Sequence, residues 1–123
     1  MGYEIKLIIG EVHSHGREEG RAWLQVWAQI DLCKPGYESK ICNLPRQESD
    51  GVPVYFYGID GNTEVTKDPY GQECIAVPIQ AVLSALETDR ANDPKYRRFH
   101  WACDLLASII KGSPEASVVL YGH

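Results

Sequence analysis

The run Ala22-Trp23-Leu24-Gln25-Val26-Trp27-Ala28-Gln29-Ile30-Asp31-Leu32 decides how this chain is read. Its strict alternation is that of a β-strand, whose successive side chains project to opposite sides of the pleat. One side carries Ala22, Leu24, Val26, Ala28, Ile30 and Leu32, and requires a covering layer. The other carries Trp23, Gln25, Trp27, Gln29 and Asp31, two indoles among polar groups. Tryptophan is costly to leave wet and frequent at binding hot spots, so this second side is expected to be a contact surface, the alternative being a second small core under the long segment 33–51.

The flanking segments supply more strands. Residues 3–9 place Tyr3, Ile5, Leu7 and Ile9 opposite Glu4 and Lys6, a half-buried strand. Gly10 to Gly20 is rich in glycine and charge and is expected to be a hairpin loop. Residues 33–51 show no sustained period and predict a long loop, a length that is uncommon unless functional or disordered. Val52-Pro53-Val54-Tyr55-Phe56-Tyr57-Gly58-Ile59 is apolar on both sides and predicts a strand covered on both faces, with Pro53 near its start. Asp60-Gly61-Asn62 is a turn from which 63–66 returns, Asp68-Pro69-Tyr70-Gly71 is another turn, and 74–77 and 116–121 read as short strands.

Two helices follow from 3.6-residue periodicity. Pro78 suits a first helical turn, and Ile79, Val82, Leu83 and Leu86 then form one apolar stripe. A second helix is predicted from Asn92-Asp93-Pro94, with Tyr96, Phe99, Cys103, Leu106 and Ile110 on its stripe, ending at Lys111 with Gly112 as a C′ residue. Trp101 then lies about 160–200° from Phe99 and Cys103, facing outward with Arg97. The expected fold is α+β: a mostly antiparallel sheet of four to five strands, with both C-terminal-half helices packed on one face. The sheet's other side would show Trp23, Trp27 and some of Tyr55 or Tyr57.

The 123 residues suit a single domain, 1–123, with loop 33–51 inside it. At 44% hydrophobic and 24% charged, the composition is that of a folded protein. The net charge of −5 is uneven. Arg90 to Lys111 holds five basic residues against two acidic, a net of +3, which leaves seven basic and fifteen acidic, a net of −8, elsewhere. An acidic body disfavours general nucleic-acid binding, which depends on phosphate neutralisation. No signal peptide and no membrane-length apolar run is present, so a reducing cytoplasm is the expected location.

Chemical motifs are few. Cys33, Cys42, Cys74 and Cys103 contain no close pair of the kind zinc sites use, and free thiols are expected. His13 and His15 could join His100 or His123 at a metal, but no recognised motif is completed, and no metal or cofactor is expected. Asp60, Asn62 and Glu64 resemble the start of a calcium loop, yet Val65 stands where that loop needs glycine, and the hairpin reading is preferred. No phosphate-binding or nucleophile-elbow motif occurs and no catalytic residue is assigned. Cys103 with His100 is an i, i+3 pair that could support thiolate chemistry, although a core thiol is usually inert. Arg97 and Arg98, at the start of the second helix, are a candidate anion site.

The strings Ile59-Asp60-Gly61-Asn62, Asp68-Pro69-Tyr70-Gly71, Val77-Pro78-Ile79-Gln80-Ala81-Val82-Leu83-Ser84-Ala85-Leu86 and Tyr96-Arg97-Arg98-Phe99 resemble the small uncharacterised accessory proteins of tailed bacteriophages. The resemblance implies a bacterial host cytoplasm and a role against a host system. The sequence therefore leaves three expectations. The first is a non-enzymatic binding protein docking Trp23, Trp27, Tyr55, Tyr57 and Trp101 on a protein partner or a second copy, as an inhibitor of a host system. The second is an oligomeric sponge enclosing a nucleotide-like anion with Arg97 and Arg98. The third is a small thiol- or metal-dependent hydrolase.

Overall fold

The computed structural model describes residues 5–13, 20–33, 51–58 and 60–122. Residues 34–50 of the predicted loop, Tyr3, His15, Cys42 and His123 lie outside them. The elements are β1 (Ile5–His13), β2 (Ala22–Cys33), β3 (Val52–Tyr57), β4 (Glu64–Val65), β5 (Ile75–Pro78), α1 (Ile79–Asn92), α2 (Arg97–Gly112) and β6 (Ser117–Gly122). The fold is α+β, an antiparallel sheet with two helices of the C-terminal half packed against it.

The sheet runs β2-β1-β6-β5-β3-β4, and β3 also pairs back onto β2. Five strands thus close into a ring, antiparallel except at the seam, where Ala22 faces Val54 and Trp23 faces Tyr55 in parallel register. Closure gives the sheet an inside as well as a helix-covered outside, and each has its own core. Outside, Ile5, Leu7, Ile9, Leu32, Val77 and Val118 pack under α1 and α2, against Val82, Leu86, Phe99 and Leu106. Inside, Ile8, Ala22, Leu24, Val54, Phe56, Cys74, Ala76 and Val119 fill the ring. Consecutive residues of one strand are therefore both buried, as with Val118 and Val119.

The uniform alternation expected of β2 does not survive closure. Ile9 pairs with Ala28 but Gly10 pairs with Val26, so Trp27 is the extra residue of a bulge. Across it the faces exchange: Ala22, Leu24 and Val26 point into the ring, whereas Ala28, Ile30 and Leu32 point to the helices. Burying Leu24 and Leu32 contributes about 1.5–3 kcal/mol each, more than the roughly 1 kcal/mol of a ladder bond lost at a bulge. Serving two cores with one strand therefore outweighs keeping the ladder regular. The polar set is divided too. Trp23 and Gln25 share the outer wall with their partners His13 and Glu11, while Gln29 and Asp31 share the inner side with Ile8 and Lys6.

β1 continues to His13, through residues expected to be loop. Pairing with both β2 and β6 holds Gly10 in the sheet despite its low strand preference. α1 starts at Ile79, with Pro78 as its N-cap and the end of β5 instead of part of its first turn, and runs to Asn92; α2 starts at Arg97 instead of Pro94. Between them Tyr96 N–H donates to the Asp93 carbonyl, closing a turn that Pro94 favours. Gly112 is the last helical residue and not a left-handed C′ cap, and Ser113 N–H closes the end on the Ile109 carbonyl. Tyr96 ties this corner to the sheet: its hydroxyl donates to the Leu32 carbonyl at 2.7 Å and its ring meets Phe99 edge-on at 4.7 Å. No helix among the described residues is long and apolar enough to cross a membrane.

Candidate functional site: an aromatic strip on the outer wall

The helices cover the outer wall only as far as the bulge. Beyond it the register lines up rings across the strands. His13 pairs with Trp23 across β1 and β2, and their rings stack at 5.0 Å with 26° between planes. Trp23 pairs with Tyr55 across the seam, and the Tyr55 ring meets Tyr57 edge-on at 6.1 Å. Gln25 holds the histidine end through a 3.0 Å hydrogen bond from His13 Nε2 to its Oε1. The strip is thus His13, Trp23, Tyr55 and Tyr57, coming from three strands brought side by side by ring closure.

Its members differ in what they offer a partner. Tyr57 is 47% exposed and Trp27, at the bulge, 41%. Trp23 is half-buried, and Tyr55, expected as surface, is buried at 9% exposure. Tyr55 and Trp23 are therefore the packed base of the strip, and Tyr57 and Trp27 are its accessible groups. Trp101 is 56% exposed on α2, facing away from the Phe99, Ala102, Cys103 and Leu106 stripe as the helical spacing predicts. No ring contact joins Trp27 or Trp101 to the strip among the described residues. His13 is the member that sequence reasoning missed, because its strand looked like loop.

Arg97, exposed, and Arg98, half-buried, occupy the first turn of α2, which carries no acidic residue. That turn sits at the Leu32 end of β2, where Tyr96 is anchored. Trp23 lies nine residues back along the strand, roughly 30 Å away at strand rise. The arginines and the strip are separate features of one protomer.

The cysteine and carboxylate candidates are occupied structurally. Cys103 is 3% exposed, and burial pushes its thiol pKa up, which keeps it protonated and a weak nucleophile. His100 donates from Nε2 to the Pro94 carbonyl at 2.6 Å. Cys74, also free and buried, has its thiol pushed up to about 12 by burial and then by the Asp68 carboxylate. Asp60 spends both carboxylate oxygens inside its own turn, accepting from the Thr63 hydroxyl, Thr63 N–H and Asn62 N–H, which hold its pKa below the usual range. Asp68 is 7% exposed and accepts from the N–H groups of Tyr70 (2.9 Å), Gln72 (3.0 Å) and Gly122 (3.2 Å), stapling the end of β6 to the turn before β5. No cluster of three potential metal ligands occurs among the described residues.

No protein-family model, no curated protein and no solved structure matches this chain.

Proposed function

We propose that this chain is a small non-enzymatic binding protein that docks the aromatic part of its outer wall on a partner protein. The observation that carries the reading is the exposure of Tyr57 and Trp27 beside a base of packed rings. Rigid aromatic groups of this kind supply contact area at low entropic cost, which is what binding hot spots use. The acidic chain, net −5, would steer encounter with a basic partner surface. The resemblance to phage accessory proteins extends the proposal: the partner would be a protein of a bacterial host cytoplasm, and the outcome inhibition of a host system. A second copy of the chain is the other candidate occupant.

The test uses Trp27→Ala and Tyr57→Ala, since both side chains are exposed and their loss should spare the fold. Light scattering reports self-association, and affinity purification from bacterial cytoplasm reports a foreign partner. The reading expects each variant to melt like the wild type and to lose at least about tenfold in affinity for the partner, or for itself. Retention of full association by the double variant would remove the wall from the interface.

A further inference from the structure

The bulge at Trp27 has a second effect, on the inner side of the ring. Past the seam β3 leaves β2 to pair with β4, and the ring opens into a cleft of about 180 Å³. Ile8, Phe56 and Val65 form its apolar wall, with the Gly58 backbone. Phe56 and Tyr121 meet edge-on at 6.2 Å and make an aromatic corner. Lys6, Gln29 and Tyr121 bring polar atoms to the same cleft. Gln29 faces this side only because the bulge turned it inward with Asp31.

Lys6 is the unusual member. It is half-buried in a chain of net charge −5, yet none of the described residues forms an ion pair with it. Its Nζ lies 5.9 Å from the Tyr121 ring centroid, a cation–π contact that positions the ammonium without neutralising it. An aliphatic and aromatic wall beside an ammonium group is complementary to an amphipathic anion. Size and charge narrow the class. An apolar cavity of about 150 Å³ accepts benzene, whereas nucleotide-sized ligands need clefts of about 300 Å³ or more. Asp31, the register partner of Lys6, bounds the adjoining depression of about 150 Å³, and its carboxylate would disfavour a multiply charged anion more than a singly charged one.

We propose that this barrel-mouth cleft binds a small monocarboxylate with a compact aromatic or branched apolar body, the carboxylate on Lys6 Nζ and the Gln29 amide and the body between Ile8, Phe56 and Val65. The site lies on the inner side of β2 and is independent of the outer-wall reading. Benzoate is the probe, with benzyl alcohol as the uncharged body and inorganic phosphate as the bodiless anion, each titrated into ¹⁵N-labelled protein and followed by amide shifts. Saturable benzoate shifts at Ile8, Gly58 and Val65 are expected by about 10 mM, which modest efficiency over about nine non-hydrogen atoms allows. Benzyl alcohol and phosphate should each bind at least about tenfold more weakly. Lys6→Met should weaken benzoate about tenfold, and Val65→Phe, which fills the cleft, should abolish the shifts. If Lys6→Met fails to fold, the benzyl alcohol comparison on wild-type protein and Val65→Phe carry the same test. Absence of saturation, equal binding of phosphate, or benzoate shifts that persist in Val65→Phe would overturn the proposal.

Discussion

Replacing Gly10 by alanine tests the bulge, on which both faces of the molecule depend. A Cβ added there would stand 2.0 Å from the Gln25 carbonyl oxygen, 2.8 Å from its carbonyl carbon and 3.1 Å from the Val26 Cα. All three are backbone atoms, so no rotamer relieves the overlap. Restoring an ordinary carbon–oxygen contact of roughly 3.3 Å requires β1 and β2 to part locally by about 1 Å. Two adjacent ladder bonds at about 1 kcal/mol each and strain of about 1–3 kcal/mol set the cost. Alanine returns about 0.4–1 kcal/mol by restricting the unfolded chain. The net expectation is a loss of about 2–4 kcal/mol, a large share of a typical stability of about 5–15 kcal/mol. Urea unfolding followed by tryptophan fluorescence and far-UV circular dichroism measures it. Gly112→Ala is the control, since nothing lies within 4 Å of its added Cβ and its φ is not positive. It should be neutral or stabilising by up to about 1 kcal/mol. A Gly10→Ala variant within about 0.5 kcal/mol of the wild type would show that the two strands are not locked by this approach.

Two further outcomes follow from buried groups. Asp68→Asn keeps the shape but turns one acceptor into a donor facing a backbone N–H, and should cost about 2 kcal/mol in the same urea assay; an unchanged midpoint would remove the staple between β6 and the turn. The raised Cys74 thiol makes stability fall at alkaline pH: below about pH 8.5 both states hold the proton and its contribution is complete. Above that the unfolded chain releases a proton that the fold retains, and stability falls by up to about 1.4 kcal/mol per pH unit toward the folded value. Cys103 and Tyr121, both raised by burial, act with the same sign. Cys74→Ala should flatten the decline between about pH 9 and 10.5, and an identical slope in variant and wild type would contradict the assignment.

Much of the architecture was legible in local pattern. The periodicity of Ile79, Val82, Leu83 and Leu86, and of Phe99, Cys103 and Leu106, specified which faces the helices bury, because a helix stripe depends only on neighbours one turn away. The outward placement of Trp101 followed from the same arithmetic. The Asp60 and Asp68 turns were readable because their acceptors lie within four residues of their donors.

The sites were less legible. Alternation in β2 assigned Trp23, Trp27, Gln29 and Asp31 to one face, and that inference assumes an unbroken ladder. The one local sign against it was Gly10, a glycine inside a strand, which often marks a bulge or a close backbone approach. The decision to break the ladder lies in tertiary structure: ring closure created a second core, and β2 could fill both only by changing face at Trp27. The same closure set Tyr55 beside Trp23, and the pairing of the first and last strands set Lys6 beside Tyr121, far apart in sequence. Local spacing determined which residues are helical, turning or extended, since those preferences are summed over a few neighbours. Which side chains meet was decided by the register of non-adjacent strands, where a one-residue shift exchanges inside for outside.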